Sequence, residues 1–294
     1  MINSIKMIRV IDMEVIKTTK EWVDSLLPER NVNTHKGDYG KVLLLCGSVG
    51  YTGAAALAAM GALRAGAGLV YLGVPESIYT VEAVKLLEPI VIPLKDQKGM
   101  LSADAIEKIA TLTERMDAVL VGPGLGDSQG TYDVVRWVLN NFHGPVILDA
   151  DGINVLKSHK DVLRGRTSPT ILTPHEGEFQ RIGGDLCDGR VQAAVKLARD
   201  LGVVVVLKGY RTVITDSVTC YLNTTGNPGM AVGGSGDVLA GILIGLLGQG
   251  LDPLEAAACA TWLHGAAGDI CADEIGQYGM LPSDMLRVLP RLLK

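Results

Sequence analysis

One acidic residue, Asp237, stands at the end of a glycine-rich turn and at the start of an apolar stretch. The turn contains Gly233, Gly234 and Gly236, and apolar residues recur at helical spacing from Val238 onward. Glycines leave backbone N–H groups uncovered at a helix N-terminus, where the positive end of the helix dipole favours anions. Asp237 could be an ordinary first-turn acid that stabilises its helix slightly. The dense glycines instead favour a general base that faces a phosphorylated ligand.

Other candidate groups follow predicted strands. Asp149 opens the segment DADGIN, and because Mg²⁺ takes one or two carboxylates together with water and phosphate oxygens, it is a candidate metal ligand, whereas Asp151 suits a helix cap. His175 in TPHEGEF is either a structural or a ligand-binding residue. Lys208 ends an apolar strand and could be a surface charge or a phosphate contact. Structural roles are predicted for the other histidines, which are His35, His143, His159 and His264.

Two further glycine-rich loops follow predicted strands, GSVGYTG at 47–53 and GPGLGD at 122–127. The first has the spacing GxxGxxG, where dinucleotide-binding folds have GxGxxG, and no acid stands clearly at the end of the next strand. It is therefore a weak dehydrogenase signal, although it predicts that the backbone at 50–54 approaches a ligand closely. The second loop could be an ordinary strand-to-helix turn.

The elements that must position these groups alternate between strands and helices. Apolar strands are predicted at 42–46, 69–74, 90–92, 118–121, 146–148, 170–172 and 203–207. Helices are predicted at 103–113, 129–140, 190–201 and 254–272, after a first one that ends near residue 66. This alternation indicates an α/β fold with a mostly parallel, doubly wound sheet, which ends in antiparallel strands over 212–222. Since ligands bind beyond the carboxyl ends of such strands, the loops named above should converge on one face.

Composition limits the class of protein. The 294 residues and the net charge of −5 argue against a nucleic-acid or anionic-membrane partner. The five cysteines form no CxxC pair and mostly lie in apolar stretches, as in a reducing cytosol. The N-terminal residues lack the apolar core and cleavage site of a secretion signal. We expect a cytoplasmic protein with a single domain over 1–294, in which 1–35 is a more polar lead-in with a short helix over 18–27.

The ordered set of motifs resembles the ribokinase-like superfamily and is most similar to its NAD(P)H-hydrate dehydratase family. The segments that carry the resemblance are HKGDYGKVLLLCGSVGYTGAAALAAMGALRAGAGLV, GPGLG, LDADGIN, LTPHEGEF, LKG, GNPGMAVGGSGDVLAGILIGLLGQG and HGAAGD. The resemblance implies a three-layer α/β/α sandwich. It also implies a repair lyase that uses ADP or ATP to restore a nicotinamide ring that has added water at its 6-position.

The resemblance further implies residue roles. Asp237 would take the proton from the hydrate hydroxyl as that oxygen attacks the terminal phosphoryl group of the nucleotide. The hydrate would contact Ala54, Gly124, Gly126, His175 and Asp237. The adenine nucleotide would contact Lys208, Gly209, Tyr210, Arg211, Thr212, Gly234, Ser235 and Gly236. Mg²⁺ would be held by Asp149 and by Glu178, which occupies the position of the glutamate in the NxxE motif of related kinases. His175 replaces the asparagine of that motif, which favours a dehydratase.

Two alternatives remain open from the sequence. A kinase of a vitamin-precursor alcohol, such as a hydroxyethylthiazole or hydroxymethylpyrimidine, would use the same scaffold. A non-catalytic nucleotide-binding regulator would keep the pocket without needing Asp237. The family also implies a homotetramer. About 35 residues precede Lys36, too few for the epimerase domain with which some family members are fused.

Overall fold

The computed structural model describes residues 14–293. Its strands are β1 (Val15–Lys17), β2 (Lys41–Leu45), β3 (Leu69–Pro75), β4 (Ile90–Leu94), β5 (Asp96–Gln97), β6 (Met100–Leu101), β7 (Ala118–Val121), β8 (Val146–Leu148), β9 (Thr170–Leu172), β10 (Val204–Leu207), β11 (Val213–Thr215) and β12 (Cys220–Leu222). Its α-helices are α1 (Lys20–Leu26), α2 (Thr52–Arg64), α3 (Glu76–Lys85), α4 (Ile106–Thr113), α5 (Gln129–Asn141), α6 (Asp151–Asn154), α7 (Asp161–Arg164), α8 (Glu176–Arg181), α9 (Arg190–Leu201), α10 (Ser235–Gly248), α11 (Pro253–Glu274) and α12 (Pro282–Val288).

The main sheet has ten strands in the order β1-β12-β11-β10-β9-β8-β7-β2-β3-β4. Within the described residues, β11 runs antiparallel to both of its neighbours, and the other pairs of adjacent strands are parallel. β5 and β6 form a separate small hairpin. The prediction of a mostly parallel sheet with antiparallel strands near one edge is therefore confirmed, but the strand at that edge is β1, from the N-terminal part of the chain, and not one of the predicted strands over 212–222.

Both faces of the sheet are covered by helices. Alternate residues of each central strand enter two different cores, as Val42 and Leu44 do on one face and Leu43 and Leu45 on the other. Helices α2, α10 and α11 pack on the first face, and α5 and α9 pack on the second. Parallel strands buried on both sides are continuous apolar runs, which is why the sequence signals them clearly.

Small residues allow α2 and α10 to pack in direct backbone contact. A Cβ added to Gly61 would lie 2.9 Å from the Val238 carbonyl oxygen and 3.1 Å from the Cα of Gly241. A Cβ added to Gly241 would in turn overlap the carbonyl oxygen of Ala58. The lack of side chains at Gly61 and Gly241 therefore sets the distance between α2 and α10.

Several elements were not predicted from the sequence. β1 is an exposed edge strand beside β12, helix α3 follows Pro75 directly, and α12 lies near the C-terminus. β1 and α3 carry exposed apolar side chains, such as those of Ile16 and Val84, so they lack the burial pattern that marks the other elements. The expectation about a secretion signal rests on residues 1–15, of which 1–13 lie outside the described residues. Between residues 14 and 293, no helix is both long and apolar enough to cross a bilayer.

Candidate active site

The glycine turn before α10 packs closely against α2 at Gly234. Gly234 is the N-cap residue and has a φ of 98°, in the left-handed region that favours glycine. A Cβ at this position would lie 2.6 Å from the Cδ1 of Leu57 on α2. Asp237 then falls in the first turn of α10, as the sequence predicts.

Helix α11 supports this turn from behind. The Asp269 carboxylate accepts hydrogen bonds from the Gly226 N–H at 2.8 Å and from the Asn227 side-chain amide at 3.0 Å. Nε2 of His264 lies 3.3 Å from Oγ of Ser235. Burial, together with the charge of Lys208, lowers the pKa of His264 to about 4, so the ring is neutral near pH 7. His264 is thus a buried, neutral side chain that contacts Ser235, two residues before the candidate base.

Three adjacent strand ends bring a cation between two acids. Nζ of Lys208, after β10, lies 2.7 Å from Oδ1 of Asp149, after β8, and 3.8 Å from Oε2 of Glu178 in α8. The hydroxyl of Thr173, after β9, donates to the same Asp149 oxygen at 2.7 Å. Burial alone would lower the pKa of Lys208, but the charges of Asp149 and Glu178 outweigh it and raise the pKa. Lys208 is therefore charged and nearly enclosed.

The backbone that carries Lys208 is held by Arg190, at the first position of α9. Its guanidinium donates to the carbonyl oxygens of Leu207 at 2.8 Å and Lys208 at 3.0 Å, and it also contacts the Glu176 carboxylate. Arg190 was not among the residues predicted from the sequence to belong to the site. The sequence feature that could have drawn attention to it is a positive charge at a predicted helix start, where the helix dipole disfavours positive charge.

Asp237 has a pKa suited to proton transfer. Burial is the main cause that raises its pKa to about 6, and the negative charge of Asp149 raises it further, while Lys208 opposes both. No other acidic residue is close to Asp237 in the sequence. The fold brings Asp149 near enough for its charge to raise the pKa of Asp237. A Cβ built on Gly236 would lie 3.4 Å from Nζ of Lys208, which puts the start of α10 beside the charged cluster. A carboxylate with a pKa near neutrality can accept a proton and release it again.

The loops after β2 and β7 meet in front of α2. A Cβ at Gly124, whose φ is 66°, would lie 2.9 Å from the Cβ of Ala54. The Gly126 N–H donates to the Asp151 carboxylate at 2.8 Å. Asp151 is thus an anchor of the GPGLG loop as well as a first-turn acid of α6. Ala54, Gly124 and Gly126 lie together, as expected for parts of one binding surface.

His175 and Glu178 hold each other at the start of α8. Nδ1 of His175 accepts hydrogen bonds from the N–H groups of Gly177 at 3.0 Å and Glu178 at 3.3 Å, so in the neutral ring the proton is on Nε2. Nε2 lies 3.3 Å from one Glu178 oxygen, and the other oxygen accepts the His175 N–H at 2.9 Å. His175 is half exposed. Its ring is therefore fixed in orientation and still accessible to a ligand.

The predicted nucleotide segment 208–212 forms a tight loop after β10. Thr212 closes it, because its hydroxyl donates to the Gly209 carbonyl at 2.9 Å. Tyr210 and Arg211 are exposed, and the Arg211 guanidinium lies 5.3 Å from the centre of the Tyr210 ring. Lys208 is the member of this segment that joins the buried cluster, while Tyr210 and Arg211 remain on the surface.

Among the described residues, the site has too few potential protein ligands to hold a metal ion alone. It fits a magnesium ion that is also bound by phosphate oxygens of a nucleotide. No group of three or more potential His, Cys, Asp or Glu ligands occurs among residues 14–293. Asp149 and Glu178 provide two carboxylates beside Lys208, and Mg²⁺ commonly uses one or two carboxylates with water and phosphate oxygens. The assignment of Mg²⁺ to Asp149 and Glu178 stays a prediction.

Fold and site together define a ribokinase-like protein: a doubly wound α/β/α sandwich in which a glycine turn delivers an aspartate to the carboxyl ends of the parallel strands. A sequence model described as NAD(P)H-hydrate dehydratase matches residues 42–291. The chain belongs to the NAD(P)H-hydrate dehydratase family.

Individual relatives agree with this family assignment. The ADP-dependent (S)-NAD(P)H-hydrate dehydratase of Bacillus subtilis is 37% identical over 96% of this chain and 99% of its own length. A crystal structure of the Bacillus subtilis ADP/ATP-dependent enzyme, obtained with ATP and Mg²⁺, superimposes with a TM-score of 0.84 at 37% identity, covering 95% of this chain and 98% of that one. The bifunctional NAD(P)H-hydrate repair enzyme of Moorella thermoacetica is 44% identical over 94% of this chain. The chain spans about half, 53%, of that relative's length.

Proposed function

We propose that this protein dehydrates the S-epimer of NADH hydrate and NADPH hydrate, with ADP as phosphoryl donor and Asp237 as the base. The observation that carries the proposal is the position of Asp237, which has a pKa of about 6, at a glycine-lined helix start beside the cluster of Lys208, Asp149 and Glu178. Phosphoryl transfer needs alignment and neutralisation of charge more than covalent help, and these groups supply both. The named activity of the Bacillus subtilis relative supports the choice of substrate and of ADP.

In the proposed reaction, Asp237 takes the proton from the hydroxyl at ring carbon 6 as its oxygen attacks the terminal phosphorus of ADP, and AMP leaves. The ring nitrogen lone pair then expels the phosphate, and the resulting iminium loses a proton from carbon 5 to restore the dihydronicotinamide. Water is thus removed from the hydrate as phosphate is released. Lys208 and the N–H groups at the start of α10 stabilise the phosphoryl oxygens. Mg²⁺ held by Asp149 and Glu178, with phosphate oxygens completing its ligands, would neutralise charge on the nucleotide.

The remaining assignments are proposals on the same basis. Ala54, Gly124, Gly126 and His175 contact the hydrate, and the segment 208–212 with residues 234–236 contacts the nucleotide.

We also propose a cytoplasmic homotetramer. Five unpaired cysteines fit a reducing compartment. The exposed apolar side chains of Val81, Val84 and Leu87 fit a contact surface between copies, which light scattering after size exclusion would test.

The proposal is tested by following the absorbance of reduced nicotinamide with prepared NADH hydrate, Mg²⁺ and either ADP or ATP. We expect recovery of absorbance together with one phosphate per hydrate, and faster recovery with ADP. Recovery with ATP alone would correct the donor. If neither donor gives recovery and a stable phosphorylated alcohol forms from a vitamin precursor, the protein is the kinase that the fold also permits.

A further inference from the structure

A groove lies beside the candidate hydrate site, beyond the carboxyl ends of β7 and β8. It runs between the start of α5 and the loop at 155–159, with a volume of about 170 Å³. We call it the α5 groove and define it by Asp127, Ser128, Gln129, Tyr132, Lys157 and His159. Pockets that enclose a whole cofactor are larger, at roughly 300–1,000 Å³, so this groove suits one end of a longer ligand.

The α5 groove is continuous with the loop assigned to the hydrate. Asp127 directly follows Gly126, whose N–H donates to Asp151, and it lies three positions after Gly124, which is beside Ala54. Three residues of extended chain span at most about 11 Å. The other half of a dinucleotide whose nicotinamide ring lies at Gly124 therefore has a short path into the groove.

The groove is separate from the segment assigned to the phosphoryl donor. Lys208 follows β10, whereas Asp127 follows β7, three strands away in the sheet. Neighbouring strands are about 4.8 Å apart, so the two strand ends are separated by about 14 Å. An adenine nucleotide bound over Lys208 leaves the α5 groove free for the substrate.

The side chains of the groove suit an adenosine. The rings of Tyr132 and His159 pack with their centres 4.5 Å apart, and His159 is exposed, so its outer face is open to a base. At the mouth, Nζ of Lys157 lies 2.8 Å from the Asp127 carboxylate, and both side chains are half exposed. Exposed ion pairs of this kind contribute about 0–1 kcal/mol, so a ligand can readily separate them. Dinucleotide sites bind a ribose 2′-hydroxyl with a carboxylate and a 2′-phosphate with a cation.

We propose that the α5 groove binds the adenosine half of the dinucleotide substrate, with Asp127 accepting from the 2′-hydroxyl of NADH hydrate and Lys157 binding the 2′-phosphate of NADPH hydrate. His159 stacks on the adenine base. The inference rests on the proposed function. It gives the protein a means to accept both substrates at one site.

The test compares steady-state kinetics of Lys157→Met, Asp127→Asn and His159→Ala on both hydrates. We expect Lys157→Met to raise KM for NADPH hydrate by about tenfold and to leave KM for NADH hydrate within about twofold. Asp127→Asn should raise KM mainly for NADH hydrate. His159→Ala should raise both by about fivefold or more, because base stacking contributes to each. Lys196→Met, which removes a similar surface pair with Asp200, is the matched control and should change neither KM.

A second readout separates failure of this inference from failure of the proposed function. Adenosine 2′,5′-bisphosphate should inhibit competitively against the hydrate and not against ADP, and calorimetry should detect weaker binding of this probe by Lys157→Met. An unchanged ratio of the two KM values in Lys157→Met overturns the groove assignment while dehydration stands. If the wild type dehydrates neither hydrate, the proposed function fails, and equal probe binding by wild type and Lys157→Met then overturns the groove as well.

Discussion

The two halves of the candidate site are built in opposite ways. The glycine half, made of α2 and the start of α10, is held by close contacts at Gly61, Gly234 and Gly241, where an added Cβ would lie 2.9 Å or less from a neighbouring atom. The charged half, made of Asp149, Glu178 and Lys208, is held by side-chain charges at three strand ends. The first half is sensitive to volume and the second to ionisation. Asp237 lies where the two meet, which is why its pKa depends on both burial and Asp149.

The largest effect is expected from Asp237→Asn, which keeps the shape of the junction and removes the base. We predict a loss of turnover of about 10²–10⁴-fold, because asparagine cannot accept the proton. The pKa of Asp237 is raised in the folded state, so ionisation of this buried carboxyl destabilises the fold, and the full loss is present above pH 6. Asparagine removes that charge, so at pH 8 the variant should have a melting temperature equal to or above that of the wild type. Turnover near the wild-type rate would reject Asp237 as the base.

Lys208→Met breaks the charged half alone. It leaves two buried carboxylates without their cation, and we predict a loss in the free energy of unfolding of about 3–5 kcal/mol at pH 8. The charges of Asp149 and Glu178 raise the pKa of Lys208 in the folded state, so its contribution to stability is fully present at pH 8 and is lost only as the pH rises through the folded-state pKa. Urea unfolding at pH 8 measures the loss. Lys196→Met, a surface control, should change stability by about 1 kcal/mol or less, and an equally small loss in Lys208→Met would contradict the electrostatic account.

Gly241→Ala breaks the glycine half alone. The new methyl group would overlap the carbonyl oxygen of Ala58, so α2 and α10 must move apart, and we predict a loss of about 1–3 kcal/mol that is the same at pH 5 and pH 8. Gly53→Ala is the control, since its Cβ would meet no atom within 4 Å and alanine favours a helix. Equal stability of the two variants would show that the helix contact is looser than the distances indicate.

The smallest effect concerns the influence of the charged half on the pKa of Asp237, which lies at the junction of the two halves. Because Asp237 must be ionised to accept a proton and its pKa is about 6, kcat/KM should rise about tenfold per pH unit below 6 and level off above it. Asp149→Asn removes a negative charge that raises this pKa, so the rise should move to lower pH. A profile that rises near pH 4 in the wild type would mean that Asp237 is not held in the environment described above.

Much of the fold followed from the sequence because its signals are local. Continuous apolar strands, helical spacing and glycine-rich turns each occupy a few consecutive residues, so the parallel sheet, the position of Asp237 and the family could be predicted. Elements with mixed or exposed patterns, such as α3 and β1, were missed. Several of their apolar side chains, such as those of Ile16 and Val84, are exposed, so no regular alternation of buried and exposed positions marks these elements.

The sequence by itself determined the order of the elements, the strand-end loops and the residues that could carry chemistry. Only the tertiary structure decided how those residues act on one another. Lys208 and Asp149 are 59 residues apart in the chain and form a contact of 2.7 Å, and the pKa of Asp237 depends on that cluster and on burial. The physical reason is that charge interactions and desolvation depend on distance in space, which local sequence patterns do not encode.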